Sequence, residues 1–357
     1  MIKKKVLLGY NYILHYRIPL FNLLSKKYDL TVLHSGKEAL TSYDLYKELI
    51  VPSKKVGPFQ IQKGLLKEVN KEEYDVVILL FDVRWIYTII SIYFYNKRAK
   101  LILWGAWLTE STIANKIRFA LTKRADKSIF YTEKSRVDFV NKGIEDVKTI
   151  VANNTFDVGP RIKSYENLIK NRLLFVGSLD ARKQNVELIN AFNNVLDKIP
   201  KNIVLTIIGD GLEKDKLINL VDKLNLNQRV EFTGRIEDPT VLKDYYKESI
   251  LSVSYGQAGL SVLQSLGYGV PFLTKINAIS GGEKTNIRDK ENSLFCEDNI
   301  TSLENSLIST CNDIDNTRLM GKRAYEYYSK YCTIENMCQG FIDAIEDTNL
   351  SNVDKRL

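Results

Sequence analysis

Ser254-Tyr255-Gly256-Gln257-Ala258-Gly259-Leu260-Ser261-Val262-Leu263-Gln264-Ser265-Leu266-Gly267-Tyr268-Gly269-Val270-Pro271 is the stretch that decides the fold. A strand over 251–254 runs into a glycine-rich loop, and the loop opens a helix near 260–268 that Gly269 and Pro271 end. Unpaired N–H groups and the positive dipole end at Leu260-Ser261 then form an anion site that needs no charged side chain. Gln264 lies one turn further along that helix, on the same side, where its amide can meet a ribose hydroxyl.

The same grammar recurs on either side of this stretch. Strands are expected at 172–176, 204–208, 230–233, 271–274 and 293–295, with helices near 185–196, 212–224 and 241–248. Three further loops follow strands: Gly177-Ser178-Leu179-Asp180-Ala181-Arg182-Lys183-Gln184, Gly209-Asp210-Gly211 and Gly234-Arg235. A doubly wound sheet gathers such loops at the carboxyl ends of its strands, where ligands bind. Arg182 and Lys183 there suit a diphosphate, a poor leaving group until its developing charge is stabilised.

The first half alternates in the same way. Its strands are expected at 4–9, 30–34, 76–81, 101–104, 127–131 and 148–152, with helices near 19–27, 64–71, 86–96, 112–124 and 134–141. The turn-rich 153–160 reads as a linker. The expectation is an α/β chain of two Rossmann-like doubly wound domains facing across a cleft. The two domains are residues 1–157 and 158–330, and a helix within 331–357 packs back on the first.

Bulk properties narrow the classes. The 357 residues are 45% hydrophobic and 26% charged, ordinary values for globular chains. The apolar run 85–95 is well short of the ~20 residues a spanning helix needs. Four cysteines without CxxC spacing and only two histidines, His15 and His34, point to reduced thiols and no metal site. No GxGxxG follows the first strand, which argues against a dinucleotide oxidoreductase. Residues 1–155 hold 26 of the 51 lysines and arginines against 15 of the 43 acidic residues, a net of +11. That leaves −3 for the rest of the +8 total. The excess suits either an anionic membrane surface, met by Lys97-Arg98-Ala99-Lys100 and Lys116…Lys123-Arg124, or a solvated surface with no partner. The 85–95 segment is read as a core helix, with membrane docking as the competing reading. Nucleic-acid binding lacks a recognition motif and is not expected.

Gly177…Lys183, Ile208-Gly209-Asp210-Gly211, Val230-Glu231-Phe232-Thr233-Gly234 and Gly259…Gly269-Val270-Pro271, in this order and spacing, resemble the retaining GT-B glycosyltransferases of family four. Tyr16-Arg17-Ile18-Pro19-Leu20-Phe21 and Val151-Ala152-Asn153-Asn154-Thr155 extend the likeness loosely into the first half. The resemblance implies sugar transfer with retention from a UDP- or GDP-sugar to a hydroxyl of a surface-glycan or lipid-linked acceptor. It implies no cofactor, no metal, and a cytoplasmic location, with the protein peripheral at the inner face of the membrane if the basic half binds lipid. Lys183 would meet the diphosphate with Arg182 beside it. Gly177, Ser178, Arg235, Gly259, Leu260, Ser261 and Gln264 would line the donor. From the first half, Gly9 and Tyr10 end a strand near the donor, while Arg17 is either a phosphate or acceptor contact or an ordinary salt bridge. Asp82 and Glu110 are acceptor-side carboxylates or plain helix caps and surface charges. Three departures stand out. The paired glutamates of the E-x7-E motif fall at Gly256 and Gln264, an arginine common in the family is Ser178, and the acceptor-side histidine would fall near Ala106-Trp107. With no side chain at Gly256, donor-sugar contacts pass to its backbone, to Gln257 or to Glu283. The alternative reading is a non-catalytic sugar-nucleotide-binding or scaffold protein of the same fold.

Overall fold

The computed structural model describes residues 2–95, 98–105 and 107–356. It divides into two compact units. One comprises residues 1–154 with 334–357, and the other residues 155–333.

Alternating β-branched and leucine-rich runs with intervening helices give the first unit a parallel sheet. Its strands are β1 (Lys5–Gly9), β2 (Asp29–His34), β3 (Lys47–Ile50), β6 (Val76–Leu80), β7 (Lys100–Trp104), β8 (Lys127–Phe130) and β9 (Thr149–Val151). They run in the order β3-β2-β1-β6-β7-β8-β9, every neighbouring pair parallel. A separate antiparallel hairpin, β4 (Ser53–Val56) and β5 (Phe59–Gln62), stands between β3 and β6 in the chain. The hydrophobic pattern did not call β3, β4 or β5, because none of them has a fully buried face. β3 is exposed at both ends, and three of the four residues of β4 are solvent-facing. The C-terminal helix Ile334–Glu346 returns to this unit, where Ile334, Met337 and Phe341 pack with Val6, Leu8, Ile78 and Trp104. Gly340 permits that contact, since a Cβ there would lie 2.7 Å from the Cβ of Ala152.

The second unit is built likewise from β10 (Arg172–Val176), β11 (Val204–Ile208), β12 (Val230–Gly234), β13 (Ser249–Val253), β14 (Phe272–Lys275) and β15 (Leu294–Cys296). Their order, β12-β11-β10-β13-β14-β15, is all parallel. The chain therefore reverses its winding between β10 and β13, and the crevice beyond the carboxyl ends of that pair is where such sheets take ligands. The first unit has the equivalent reversal between β1 and β6. Among the described residues no helix is long and apolar enough to cross a membrane.

One buried carboxylate ties down the end of the chain. Asp343 has no exposed surface. It accepts from Gln339 Nε2 at 2.9 Å, Thr348 Oγ1 at 2.7 Å, and the N–H groups of Leu350 and Ser351 at 2.9 and 2.8 Å. Burial opposes its charge, but these four donors outweigh burial and hold its carboxyl below the ordinary range. A depressed carboxylate stabilises above its unfolded pKa and loses that contribution as pH falls through its folded one. Asp343→Ala should therefore cost the first unit about 2 kcal/mol at neutral pH. In urea melts the deficit should shrink as the pH drops below about 4; a deficit that does not change with pH would show that packing, not charge, is what Asp343 supplies.

Candidate functional site

The four loops expected to carry chemistry are joined by backbone contacts at the carboxyl edge of the second sheet. Gly177 N–H donates to Ile208 O at 3.0 Å, and Leu179 N–H to Asp210 O at 2.9 Å. Gly209 N–H donates to Gly234 O at 2.9 Å, and Gly256 N–H to Lys183 O at 3.1 Å. The glycines make this possible. A Cβ on Gly209 would fall 1.8 Å from the carbonyl oxygen of Gly177, and one on Gly256 would fall 2.3 Å from that of Arg182. No side chain fits at either place without moving backbone.

Lys183 is the buried cation of this edge, only 8% exposed. Among the described residues its ammonium has no hydrogen bond or ion pair. Burial pushes its pKa down and Arg182 adds to that, against the opposing charges of Asp180 and Glu283. Arg182, by contrast, is already engaged: its Nε and Nη2 donate to the two Asp180 oxygens at 2.9 and 3.1 Å. Ser178 Oγ donates to the same carboxylate at 2.7 Å. Arg182 thus lies on the exposed rim, clamped to its own loop.

Glu283 is buried and accepts from Gly281 N–H at 3.0 Å and Ser280 Oγ at 3.4 Å. Its loop is pinned to the donor loop. Ala258 N–H donates to Ile279 O at 2.8 Å, and Ile279 N–H to Gly256 O at 3.0 Å. The N–H and C=O of Gly256 are therefore both bonded within the protein, which leaves the backbone of Gly256 poorly placed for the donor-sugar contact expected of it. Gln257 pairs with Ile279 as an isolated bridge, and its Oε1 is buried without a partner.

The helix after this loop runs Ser261–Gly267, one residue later than the sequence pattern suggested, with Leu260 at its N-cap. No side chain caps its start, and the buried Oγ of Ser261 has no partner. A Cβ on Gly259 would meet no atom within 4 Å, so space is open in front of these N–H groups. Gln264 is buried, its Oε1 accepting from Tyr246 Oη at 3.3 Å; that hydroxyl belongs to a ring stacked on Tyr268. Arg235, after Gly234, is exposed and paired with Glu237.

In the first unit Gly9 ends β1, as expected, with Tyr10 directly after it. Gly9 is buried, and a Cβ there would press to 2.7 Å on Leu79. Tyr10 stacks on Trp104 with centroids 5.2 Å apart. Its N–H donates to Leu33 O at 2.7 Å, and its own carbonyl accepts from Gln62 Nε2 at 3.1 Å. Arg17 is 3% exposed and meets no carboxylate. Its Nη2 donates to Asn154 Oδ1 at 2.6 Å, and its guanidinium lies over the rings of Tyr16, Trp104 and Tyr131. Arg17 and Tyr10 thus tie together the interior of the first unit, and among the described residues Arg17 has no salt bridge. Asp82 is bound by Arg84, whose Nε and Nη2 donate at 3.0 and 2.8 Å. Glu110 is exposed, while Ala106 lies outside the described residues. Not legible in the sequence was the pair of buried His34 and partly buried Glu48, Nε2 to Oε1 at 2.5 Å; a lone histidine in a strand gives no sign of a carboxylate 14 residues away.

Residues 161–327 match the family model of glycosyl transferases group 1. An uncharacterized glycosyltransferase of Methanocaldococcus jannaschii is 26% identical over 249 residues, 61% of this chain and 60% of that relative's length. The O-antigen biosynthesis glycosyltransferase WclY of Escherichia coli is 23% identical over 191 residues, 53% of this chain and 51% of its own. Among solved structures, HepE of Anabaena in complex with UDP aligns with a TM-score of 0.73 at 18% identity, over 96% of this chain and 100% of that one. The lipopolysaccharide outer core galactosyltransferase WaaB aligns with a TM-score of 0.66 at 17% identity, over 96% and 99%. The chain has the GT-B fold, and its residues 161–327 resemble the glycosyl transferases group 1.

Proposed function

We propose that the protein is a retaining glycosyltransferase that moves a sugar from a UDP- or GDP-sugar to a hydroxyl of a surface-glycan or lipid-linked acceptor. The observation that carries this is Lys183, a buried ammonium without a bonded partner at the switch point of the second sheet, beside an open, uncapped helix start. A buried cation without a partner is costly, and a diphosphate between it and the N–H groups of Gly259–Ser261 would neutralise it. HepE, a neighbour in fold, has been crystallised with UDP and with UDP-glucose.

In this reading the bond from the anomeric carbon to the diphosphate oxygen breaks, and its electron pair leaves with the diphosphate. Lys183 and the loop N–H groups stabilise that charge without a metal ion. The acceptor hydroxyl attacks on the same face and passes its proton to the departing phosphate oxygen, so no enzyme nucleophile is needed. Glu283, fixed by Gly281 and Ser280 within electrostatic reach of Lys183, contacts the sugar in place of the carboxylate that Gly256 cannot carry. Gln264 offers its amide to the ribose, Arg235 flanks the base, and Arg182 with Ser178 holds the loop.

The location that goes with a lipid-linked acceptor is the inner face of the membrane. The helix Thr112–Arg124 has no acidic residue. It turns Ile113 and Ile117 to solvent between the exposed Lys116, Lys123 and Arg124, and the exposed Tyr93 and Phe94 belong to the neighbouring helix. Arg124 joins the two, its Nη2 donating to Tyr93 O at 2.9 Å. Apolar side chains rimmed by cations suit an anionic bilayer surface. The other basic run does not contribute in the same way: Lys100 is paired with Asp347 and Arg98 with Glu72, and Lys97 lies outside the described residues.

Thermal-shift titrations with UDP- and GDP-sugars identify the donor, since a ligand that binds only the folded protein raises its midpoint. Lys183→Ala should weaken that donor's binding and lower turnover by about 10²–10³-fold. Glu283→Gln should keep nucleotide binding and lose turnover; unchanged turnover and donor affinity in this variant would remove Glu283 from the site. Donor binding without turnover across a panel of acceptors would favour the non-catalytic reading instead.

In co-sedimentation with phosphatidylglycerol vesicles, wild-type protein should pellet at low salt, and Lys116→Glu/Lys123→Glu should stay in solution. No pelleting of the wild type at low or moderate salt would refute the membrane location.

A further inference from the structure

The carboxyl edge of the first unit's sheet holds a second buried cation. Arg118, on the helix Thr112–Arg124, is 5% exposed and has no ion pair with a carboxylate. Its Nη1 donates to Thr109 Oγ1 at 3.1 Å and Asn115 Oδ1 at 3.3 Å, and its guanidinium lies 5.5 Å from the centre of the Trp107 ring. Its Nε is buried with no partner at all. The charges of Asp82 and Arg84 both reach it. Asp82 follows β6, and Trp107 and Thr109 follow β7, so the group sits where a doubly wound sheet takes ligands.

The charges in this cluster do not balance. Among the described residues Asp82 is the carboxylate whose charge reaches Arg118, and the exposed Arg84 binds it through both Nε and Nη2. Arg118 thus remains as an uncompensated positive charge with an orphaned donor. Leaving such a donor unmade in the interior is expensive, and native proteins keep one where a ligand completes it. A tetrahedral oxyanion suits these donors, because guanidinium forks present paired N–H groups to its oxygens.

Resting on the glycosyltransferase reading, we propose that Arg118 and Arg84, with Trp107 beside them, form an oxyanion subsite that takes a phosphate group of the acceptor. Arg118 supplies the buried charge. Arg84 swings from Asp82 to close on the phosphate from the solvent side, and the Trp107 face is left for the group the phosphate is attached to. The phosphate belongs either to a lipid carrier or to a soluble phosphorylated glycan, and the chemistry at the protein is the same.

Calorimetry with inorganic phosphate, in the presence of saturating UDP so that the donor site is filled, tests this on the full chain. Wild-type protein should bind phosphate, and Arg118→Gln and Arg84→Gln should each weaken it by about tenfold with UDP affinity unchanged. Arg84 is exposed and its variant leaves the core intact, so a folding defect in Arg118→Gln does not spoil the test. No phosphate binding by wild type, or binding that Arg84→Gln leaves unaltered, overturns the proposal. If UDP itself fails to bind, it is the donor reading that falls, and phosphate titration without UDP still decides the subsite. Repeating the comparison with phosphatidylglycerol vesicles assigns the source. Weaker retention of Arg84→Gln places a lipid phosphate in the subsite, and equal retention places a soluble one.

Discussion

The site depends on a close approach of backbone to backbone at the switch point of the second sheet. The carbonyl of Gly177 lies where a side chain on residue 209 would have to be, and that of Arg182 fills the corresponding place at residue 256. Because those two glycines allow it, the loops after β10, β11 and β13 are bonded to one another before any ligand arrives. Preorganisation of this kind matters for a reaction whose chief demand on the protein is to hold a diphosphate and stabilise its charge as it leaves.

The same constraint governs which residue position 256 can carry. A glutamate there would need a Cβ inside the carbonyl of Arg182. The loop is instead pulled onto 279–283, which brings Glu283 within electrostatic reach of Lys183. In the first unit a parallel arrangement holds, with Arg17 serving the core while Arg118 and Arg84 face the sheet edge.

Much of this could be read from the chain, for identifiable reasons. The position of Lys183 and of the 256–264 segment at the edge of the second sheet was legible because a glycine after a strand and a helix behind it leave the intervening residues few places to be. The doubly wound halves were legible from buried runs separated by helical spacing. β3, β4 and β5 were not, since strands without a fully buried face carry no alternating pattern. The packing of Arg17 was not legible, because its aromatic neighbours Trp104 and Tyr131 lie far along the chain. Arg118 looked like one more cation on a basic helix, and only its burial and its unpaired Nε distinguish it from Lys116 or Lys123.

Hydrogen exchange on the full chain, with and without saturating UDP, tests the central claim most directly, because it reports where the nucleotide orders the backbone. Added protection is predicted at 177–184, 209–211, 256–264 and 279–286, and at no comparable level in residues 2–95. Protection confined to the first unit, with those four segments unchanged, would contradict a donor site at the switch point of the second sheet.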